Sequence, residues 1–369
     1  MAYSTRMRSA VGAVRAALEA AGLGLQDARF ARHGSHEPDA DAPLVLVACS
    51  GGRDSMALAA VAATVCASLG LRCGVVVVDH GLQEGSAAVA SQAARRCEGL
   101  GLNPVAVRRV AVRAEGEGVE AAAREARYDA LAGEARARGA AAVLLAHTMD
   151  DQAETVLMGL LRSGGVDAVA GMPESFERDG VRFLRPLLGL SREDTTGICR
   201  DLGLRWWDDP TNGDGADGPL PDGYPLRSRV RHDLMPFLER FAGGGVAAHL
   251  AQASRLARRD KALLDAMAER ATAEAVAFAD GECGDVVMTL RADVLEREPE
   301  AIRLRVVAHA LGRAGIPCTS RHVEAIDRLI VRWHGQGAVS LPSGHSANRK
   351  KHVIRVCQDG LHANRRCSG

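Results

Sequence analysis

The sequence predicts an α/β protein: a parallel, twisted sheet with helices on both faces, followed by a smaller, mainly helical C-terminal domain. Three observations carry that expectation. Short unbroken apolar runs such as LVLVAC (44–49) and CGVVVVDH (73–80) read as strands buried on both faces. They alternate with alanine-rich stretches of helical period, the order of βαβ units. Beyond Gly243-Gly244-Gly245 the pattern changes to long amphipathic helices.

In order, a helix from about Arg6 to Ala21 opens the chain and a polar loop rich in His and Asp follows, so residues 1–42 stand apart. LVLVAC is the first strand, and MALAAVAATVCASLG a helix ending at Gly70. CGVVVVDH is the second strand, SAAVASQAARRCEGLG a helix stopped by glycine, and PVAVRRVAV the third strand. GVEAAAREARYDALAGEARARG forms a long amphipathic helix ahead of a fourth strand, AAVLLAH. A helix from about Met149 to Arg162 follows, with Thr148 placed to cap it and Asp151 at capping-box spacing. After Pro186 a further helix begins at Ser191, and TNGDGADGPLPDGYPL is a loop. These segments fill residues 43–242. Residues 243–369 hold an amphipathic helix through Leu250, Leu256, Leu264 and Ala271, helices near Pro299–Gly312 and Ser320–Trp333, and a closing turn-and-strand, GAVSLPSGHSANRKKHVIRVC.

Composition narrows the class. The chain has 369 residues, 47% apolar and 25% charged, as soluble globular proteins do. Nine scattered cysteines without a Cys-x-x-Cys pair read as reduced thiols. The N-terminus lacks a signal peptide's apolar stretch and no run is long enough to span a bilayer, so the expected location is cytoplasmic, with no membrane partner. Net charge is zero, yet from Ala301 onward twelve Arg and Lys face three acids, which leaves an acidic body and a basic end. That asymmetry suits a domain that grips a phosphate backbone. Aromatics are few, so base stacking is not expected to dominate such a contact.

Ser50-Gly51-Gly52-Arg53-Asp54-Ser55 joins the first strand to the first core helix. Two glycines let the backbone approach phosphate oxygens, and the amides and dipole of the helix start favour an anion. Ser50 and Ser55 add hydroxyl donors. The lysine of a Walker loop is missing, and Asp54 would repel phosphates unless Mg2+ lay between them. The loop therefore reads as a site for a nucleoside triphosphate with a metal at Asp54.

SGGRDS after a buried first strand resembles the PP-loop of the N-type ATP pyrophosphatases, Rossmann-like enzymes that cleave ATP between its α and β phosphates. VVVVDHGLQEGS resembles that family's second strand and turn, where backbone at Val78–His80 would meet the adenine. EAAAREARYDAL, LLAHTMDDQAETVLMGLLRSGGVDAVAGM, RPLLGLSRED, WWDDPTNGD and YPLRSRVRHDLMP resemble, within that superfamily, the tRNA(Ile)-lysidine synthetases. The resemblance implies a catalytic domain over 43–242 and a tRNA-binding domain over 243–369. It implies ATP and Mg2+ as cofactors, with free L-lysine and the CAU-anticodon tRNA(Ile) as partners. The wobble cytidine would be adenylated and then take the lysine at C2.

Residue by residue, the resemblance implies that Ser50, Gly51, Gly52, Arg53, Asp54, Ser55 and His80 bind ATP. Asp54 would hold the metal, and Arg124 would neutralise phosphate or adenylate, with Arg127 three residues on as the neighbour able to share that task. The bland reading of both arginines is a solvent-facing helix surface. Asp151 and Glu154, at i and i+3 on one helix, would hold the lysine ammonium, and Asp151 or His147 would take its proton. The competing reading is that Asp150, Asp151 and Glu154 only serve the helix start. Arg162, before Ser163-Gly164-Gly165, would contact substrate, as would Arg227 and Arg231 in a motif where Ser228 replaces the usual Asn. In the basic domain Arg303, Arg305, Arg313, Arg349, Lys350 and Lys351 would meet phosphates. A sister PP-loop enzyme, either a tRNA thiolase or an amidating synthetase, and a non-catalytic nucleotide sensor are the alternatives. The oligomeric state stays open, a homodimer being one outcome.

Overall fold

The computed structural model describes residues 3–31, 37–81, 83, 85–112, 118–209, 216, 218–279 and 285–358. Leu82 and Glu84 of the turn after the second strand lie outside them, as do 210–215 and Asp217 of the long loop, Cys283 and Cys367. The chain divides into two units, Met1–Arg258 and Arg259–Gly369.

In the first unit, α1 (Thr5–Ala20) precedes β1 (Leu44–Ala48), α2 (Arg53–Leu69), β2 (Arg72–Asp79), α3 (Ser86–Gly99) and β3 (Val105–Arg109). Then come α4 (Val119–Ala137), β4 (Ala142–Leu144), α5 (Met149–Arg162), α6 (Val166–Ala170), β5 (Ser175–Arg178), β6 (Val181–Leu184) and α7 (Arg192–Asp201). The unit closes with α8 (Leu226–Arg229), one π-helical turn at Val230–Leu234, α9 (Met235–Ala242) and the first part of α10 (Val246–Ala275). Six strands form one sheet in the order β3-β2-β1-β4-β6-β5. All neighbours pair in parallel except the β5–β6 hairpin.

The unbroken apolar runs have a simple cause. Val45, Val47, Val75 and Val77 enter the core beneath α1, α2 and α3, while Leu44, Leu46 and Val76 enter a second core with Tyr128 and Leu131 of α4. Both faces of each strand are covered, so neither set of alternate positions tolerates polarity. The chain moves from β1 to β2 on one side and returns to β4 on the other. The carboxyl ends of β1 and β4 thus flank a topological switch point, where open α/β sheets form their ligand crevice.

The hairpin is an addition to the four strands read from the sequence. Its two-residue turn is Asp179-Gly180, with φ of 51° and 74°, the two positive values of a type I′ turn.

In the second unit, the rest of α10 is followed by β7 (Val276–Phe278), β8 (Val286–Arg291), α11 (Ala292–Leu295), α12 (Glu300–Arg313), α13 (Ser320–Val331), β9 (Val339–Leu341), β10 (His345–Lys350) and β11 (Val353–Gln358). The helices accompany a five-stranded sheet, β7-β8-β11-β10-β9, antiparallel throughout. Of it the sequence shows only the closing turn-and-strand. Met288, Leu290, Ile354 and Val356 of the sheet pack with Ile302, Val306, Ile326 and Ile330 of α12 and α13. Among the described residues of the whole chain, no helix is long and apolar enough to cross a membrane.

Candidate active site

The site grows from the end of β1. Gly51 takes φ of 81°, and a Cβ there would lie 2.9 Å from the Ala93 Cβ of α3. Both facts demand glycine. Gly51→Ala is therefore expected to cost about 1–3 kcal/mol and to weaken nucleotide binding, read by thermal melting and by titration. Gly52 begins α2 and no side chain caps it. Ser55 instead ties the loop to itself: its hydroxyl accepts from Ser50 N at 3.2 Å and donates to the Gly52 carbonyl at 2.8 Å. The amides of the helix start remain for a ligand.

Two buried nitrogens point the same way. Arg53 Nε and His80 Nδ1 have no hydrogen-bond partner among the described residues, a costly state that a bound ligand relieves. His80 follows β2, and burial together with the charge of Arg127 pushes its pKa down.

Asp54 accepts a very short hydrogen bond from the Thr195 hydroxyl of α7, and its Oδ2 lies 4.0 Å from Arg192 Nε. Burial pushes its pKa up against the Thr195 bond, and the charge of Asp151 adds to the rise. Arg53 Nε and Arg192 Nε stand 3.9 and 4.0 Å from its two oxygens, beyond hydrogen-bond reach, so the carboxylate can still take a cation ligand. Among the described residues no cluster of three or more ligating side chains exists. Asp54 would then be one protein ligand of an ion completed by phosphate oxygens and water, the usual Mg2+ arrangement.

Beside it, α5 starts with the capping box expected: Thr148 N and Oγ1 donate to Asp151 Oδ2 at 2.8 and 3.0 Å. Asp151 Oδ1 accepts from Arg192 at 3.2 Å, Arg227 at 3.3 Å and Arg231 at 3.1 Å. Glu154 Oε1 takes Arg192 at 3.0 Å and Arg231 at 2.8 Å, and its Oε2 takes Arg227 at 2.9 Å and Arg231 at 3.0 Å. Three arginines from α7, α8 and the π-helical turn thus converge on two carboxylates of one helix, both buried. Arg227 and Arg231 stand four residues apart and reach the same side of the helical rod.

This arrangement sets the charge state of both carboxylates. Burial alone would raise the Asp151 carboxyl, yet Arg227, Arg192, His147 and Arg231 hold it well below the carboxylate range. Glu154 is likewise held low by Arg231 against burial. Every carboxylate oxygen of Asp151 and Glu154 accepts hydrogen bonds, so the pair holds the three guanidiniums together on one side of α5. His147 is a poor base, since burial pushes it down to about 3.

On the other side of the crevice, Arg124 Nη2 donates to the Tyr128 hydroxyl at 3.4 Å. Arg127 keeps an exposed surface although protein surrounds it, and that enclosure together with Arg124 and Arg227 lowers its pKa. Among the described residues no carboxylate lies within ion-pair distance of Arg124, Arg127 or Arg185. Asp150 accepts from the Arg192 amide at 2.7 Å and so links α5 to the start of α7. Arg162 is exposed at the far end of α5, two turns beyond Glu154 and apart from the arginine–carboxylate cluster.

Within RPLLGLSREDT no local signal marks Arg185, Arg192 or Thr195 as site residues. The contacts of Arg192 span 38 and 41 residues, so no local period announces them.

In the second unit, Arg303 is paired within the fold. Its Nε and Nη2 donate to Asp327 Oδ1 and Oδ2 at 2.7 and 3.2 Å, joining α12 to α13. Arg305 donates to the Ala301 carbonyl at 2.9 Å and lies 3.6 Å from Asp265. Arg349 caps the end of α13 through the Leu329 and Ile330 carbonyls at 2.7 and 2.6 Å, and Arg313 stacks on Phe278. Lys350, Lys351 and Arg355 around the β10–β11 turn are exposed.

Residues 26–238 match the model of the PP-loop domain, and residues 290–362 that of the TilS substrate binding domain. A tRNA(Ile)-lysidine synthase of Bifidobacterium longum subsp. infantis is 62% identical over 388 aligned positions, which cover 99% of this chain and 100% of that protein. One of Bifidobacterium animalis subsp. lactis is 55% identical over 380, covering 100% and 99%. One of Leifsonia xyli subsp. xyli is 46% identical over 333, covering 89% and 95%.

Proposed function

The chain belongs to the tRNA(Ile)-lysidine synthases, and from that premise we propose how its own residues carry the reaction. It is an ATP-using ligase that forms lysidine on tRNA(Ile). The observation that carries the residue-level reading is the junction of an uncapped helix start at Gly51-Gly52 with the arginine cluster on Asp151 and Glu154, bridged by Asp54. The amides of the α2 start, from Arg53 to Ser55, bind the phosphates of ATP. Arg53 and His80 meet the nucleotide through the nitrogens they leave unpaired. Asp54 holds Mg2+, which when bound offsets charge on the phosphates.

The O2 of the wobble cytidine attacks the α-phosphate and pyrophosphate leaves. Charge then develops on phosphate oxygens, where preoriented cations contribute most. Arg192, Arg227 and Arg231 are held in place for this by their carboxylates, and Arg124 and Arg127 line the approach. The amine of free L-lysine next attacks C2 of the adenylated base, and AMP leaves. The cytoplasm, where tRNA and ATP are found, is the place for this work.

The decisive test is labelled lysine with Mg2+-ATP and an unmodified CAU-anticodon tRNA(Ile). Label that requires ATP and spares methionine tRNA supports the reading. Pyrophosphate release without label would point to another nucleophile, sulfur first.

The second unit makes a separate prediction. Lys350→Ala with Lys351→Ala should weaken tRNA binding and flatten its log–log salt dependence by about 2, leaving the melting temperature alone. Arg303→Ala should do the reverse, costing about 1–3 kcal/mol of stability with little change in the salt slope.

A further inference from the structure

We infer that Arg185 is a positioning residue of the reaction: it locks the His147 imidazole in the form protonated on Nε2, so that His147 serves the bound substrate as a hydrogen-bond donor and not as a base. The inference deepens the functional reading above and rests on it for the identity of the substrate.

Arg185 directly follows β6 and is almost sealed from solvent, 5% exposed. Its Nε donates to His147 Nδ1 at 3.3 Å, Nη1 to the Pro173 carbonyl at 2.7 Å and Nη2 to the Tyr128 hydroxyl at 3.2 Å. Its guanidinium also lies over the Phe176 ring, 4.4 Å from the centroid. These contacts fix the guanidinium plane. A guanidinium has five N–H donors and no acceptor, so the ring nitrogen facing it must present a lone pair. A neutral imidazole with its lone pair on Nδ1 carries its only proton on Nε2. Protonating Nδ1 would set two donors against each other beside a cation.

His147 is half-buried, and its Nε2 makes no hydrogen bond among the described residues. That N–H is therefore available to an oxygen of the substrate. The charge of Arg185 differs from those of the cluster in having no carboxylate within ion-pair distance among the described residues. Its neighbours are a hydroxyl, a carbonyl, an imidazole and a ring. A buried cation kept without a counter-ion costs stability, and here it faces an imidazole whose proton it determines.

The experiment is 15N NMR of histidine-labelled full-length protein, with the His147 signals identified among twelve histidines by their loss in His147→Gln. The wild type should show the Nε2–H form from pH 6 to 8 without any substrate. Arg185→Met should populate the Nδ1–H form and lower kcat for lysidine formation about 10–100-fold, with KM for ATP nearly unchanged. Arg185→Lys should recover the Nε2–H form and part of the rate. In a parallel pair, His147→Gln, which keeps an N–H donor, should retain more kcat than His147→Ala.

Nδ1–H in the wild type would overturn the proposal. So would loss of rate in Arg185→Met with the tautomer unchanged, which would leave only a packing role. If Arg185→Met does not fold, the wild-type tautomer and the Gln–Ala comparison still decide. The tautomer is read without lysine or tRNA, so it stands or falls apart from the assigned reaction.

Discussion

Replacing Glu154 by glutamine should abolish lysidine formation and unfold the first unit at a markedly lower temperature. Glu154 is 1% exposed and receives four hydrogen bonds from three arginines. Removing its charge takes from those guanidiniums a carboxylate that all three share. Breaking a buried ion cluster from one side costs about 3–5 kcal/mol, on the order of 10 °C in a unit of this size. The rate should fall at least ~100-fold, because the cations meant for the phosphates lose their common anchor. Thermal melting and a lysine-incorporation assay check the two effects, and an unchanged melting temperature would remove the cluster from its structural role.

The pH dependence follows with its sign. The folded pKa values of Asp151 and Glu154 lie below their ordinary ones. Their stabilisation is complete above the unfolded values near ~4 and is lost as pH falls through the depressed folded values. Wild-type protein should therefore lose stability more steeply below about pH 4 than Glu154→Gln does.

Asp54→Asn should separate what Glu154→Gln joins. Burial raises the Asp54 pKa, so at neutral pH its charge opposes folding, and that cost disappears as pH falls. The asparagine variant should melt slightly higher at pH 7. Yet pyrophosphate release with ATP and tRNA should drop about 100–1,000-fold, since the carboxylate assigned to the metal is gone. Retained pyrophosphate release would take Asp54 out of that role. A charge that costs the fold and serves the reaction is the mark of a functional site.

Local signals explain what the sequence discloses. The α5 start is legible because Thr148 and Asp151 lie three residues apart and the cap is a short-range hydrogen bond. β1 and β2 are legible because covering both faces leaves no polar position. The β5–β6 hairpin went unread although Asp179-Gly180 is a hairpin-turn dipeptide, since SFER and VRFL are short and half polar. β7 and β8 went unread for a related reason: Met288 and Leu290 alternate with half-buried residues over only six positions. At the site, the motif residues Asp54, Asp151, Glu154, Arg227 and Arg231 come together. Their partners Arg192, Thr195 and Arg185 join only through tertiary contacts. The same contacts give Asp151 and Glu154 their arginine partners, because spacing reveals which carboxylates share a helix face but not which cations pair with them.

The cations that line this crevice are all arginines. The chain's three lysines, Lys261, Lys350 and Lys351, all belong to the second unit, and none occurs in residues 1–260. An adenylated cytidine is an electrophile that waits for a primary amine, and any lysine side chain beside it would be chemically the same nucleophile as the free amino acid. A guanidinium keeps its proton at every working pH. A first unit furnished only with guanidiniums can bind the phosphates tightly and offer the activated base no lysine of its own to react with, which guards that unit against joining itself to the RNA.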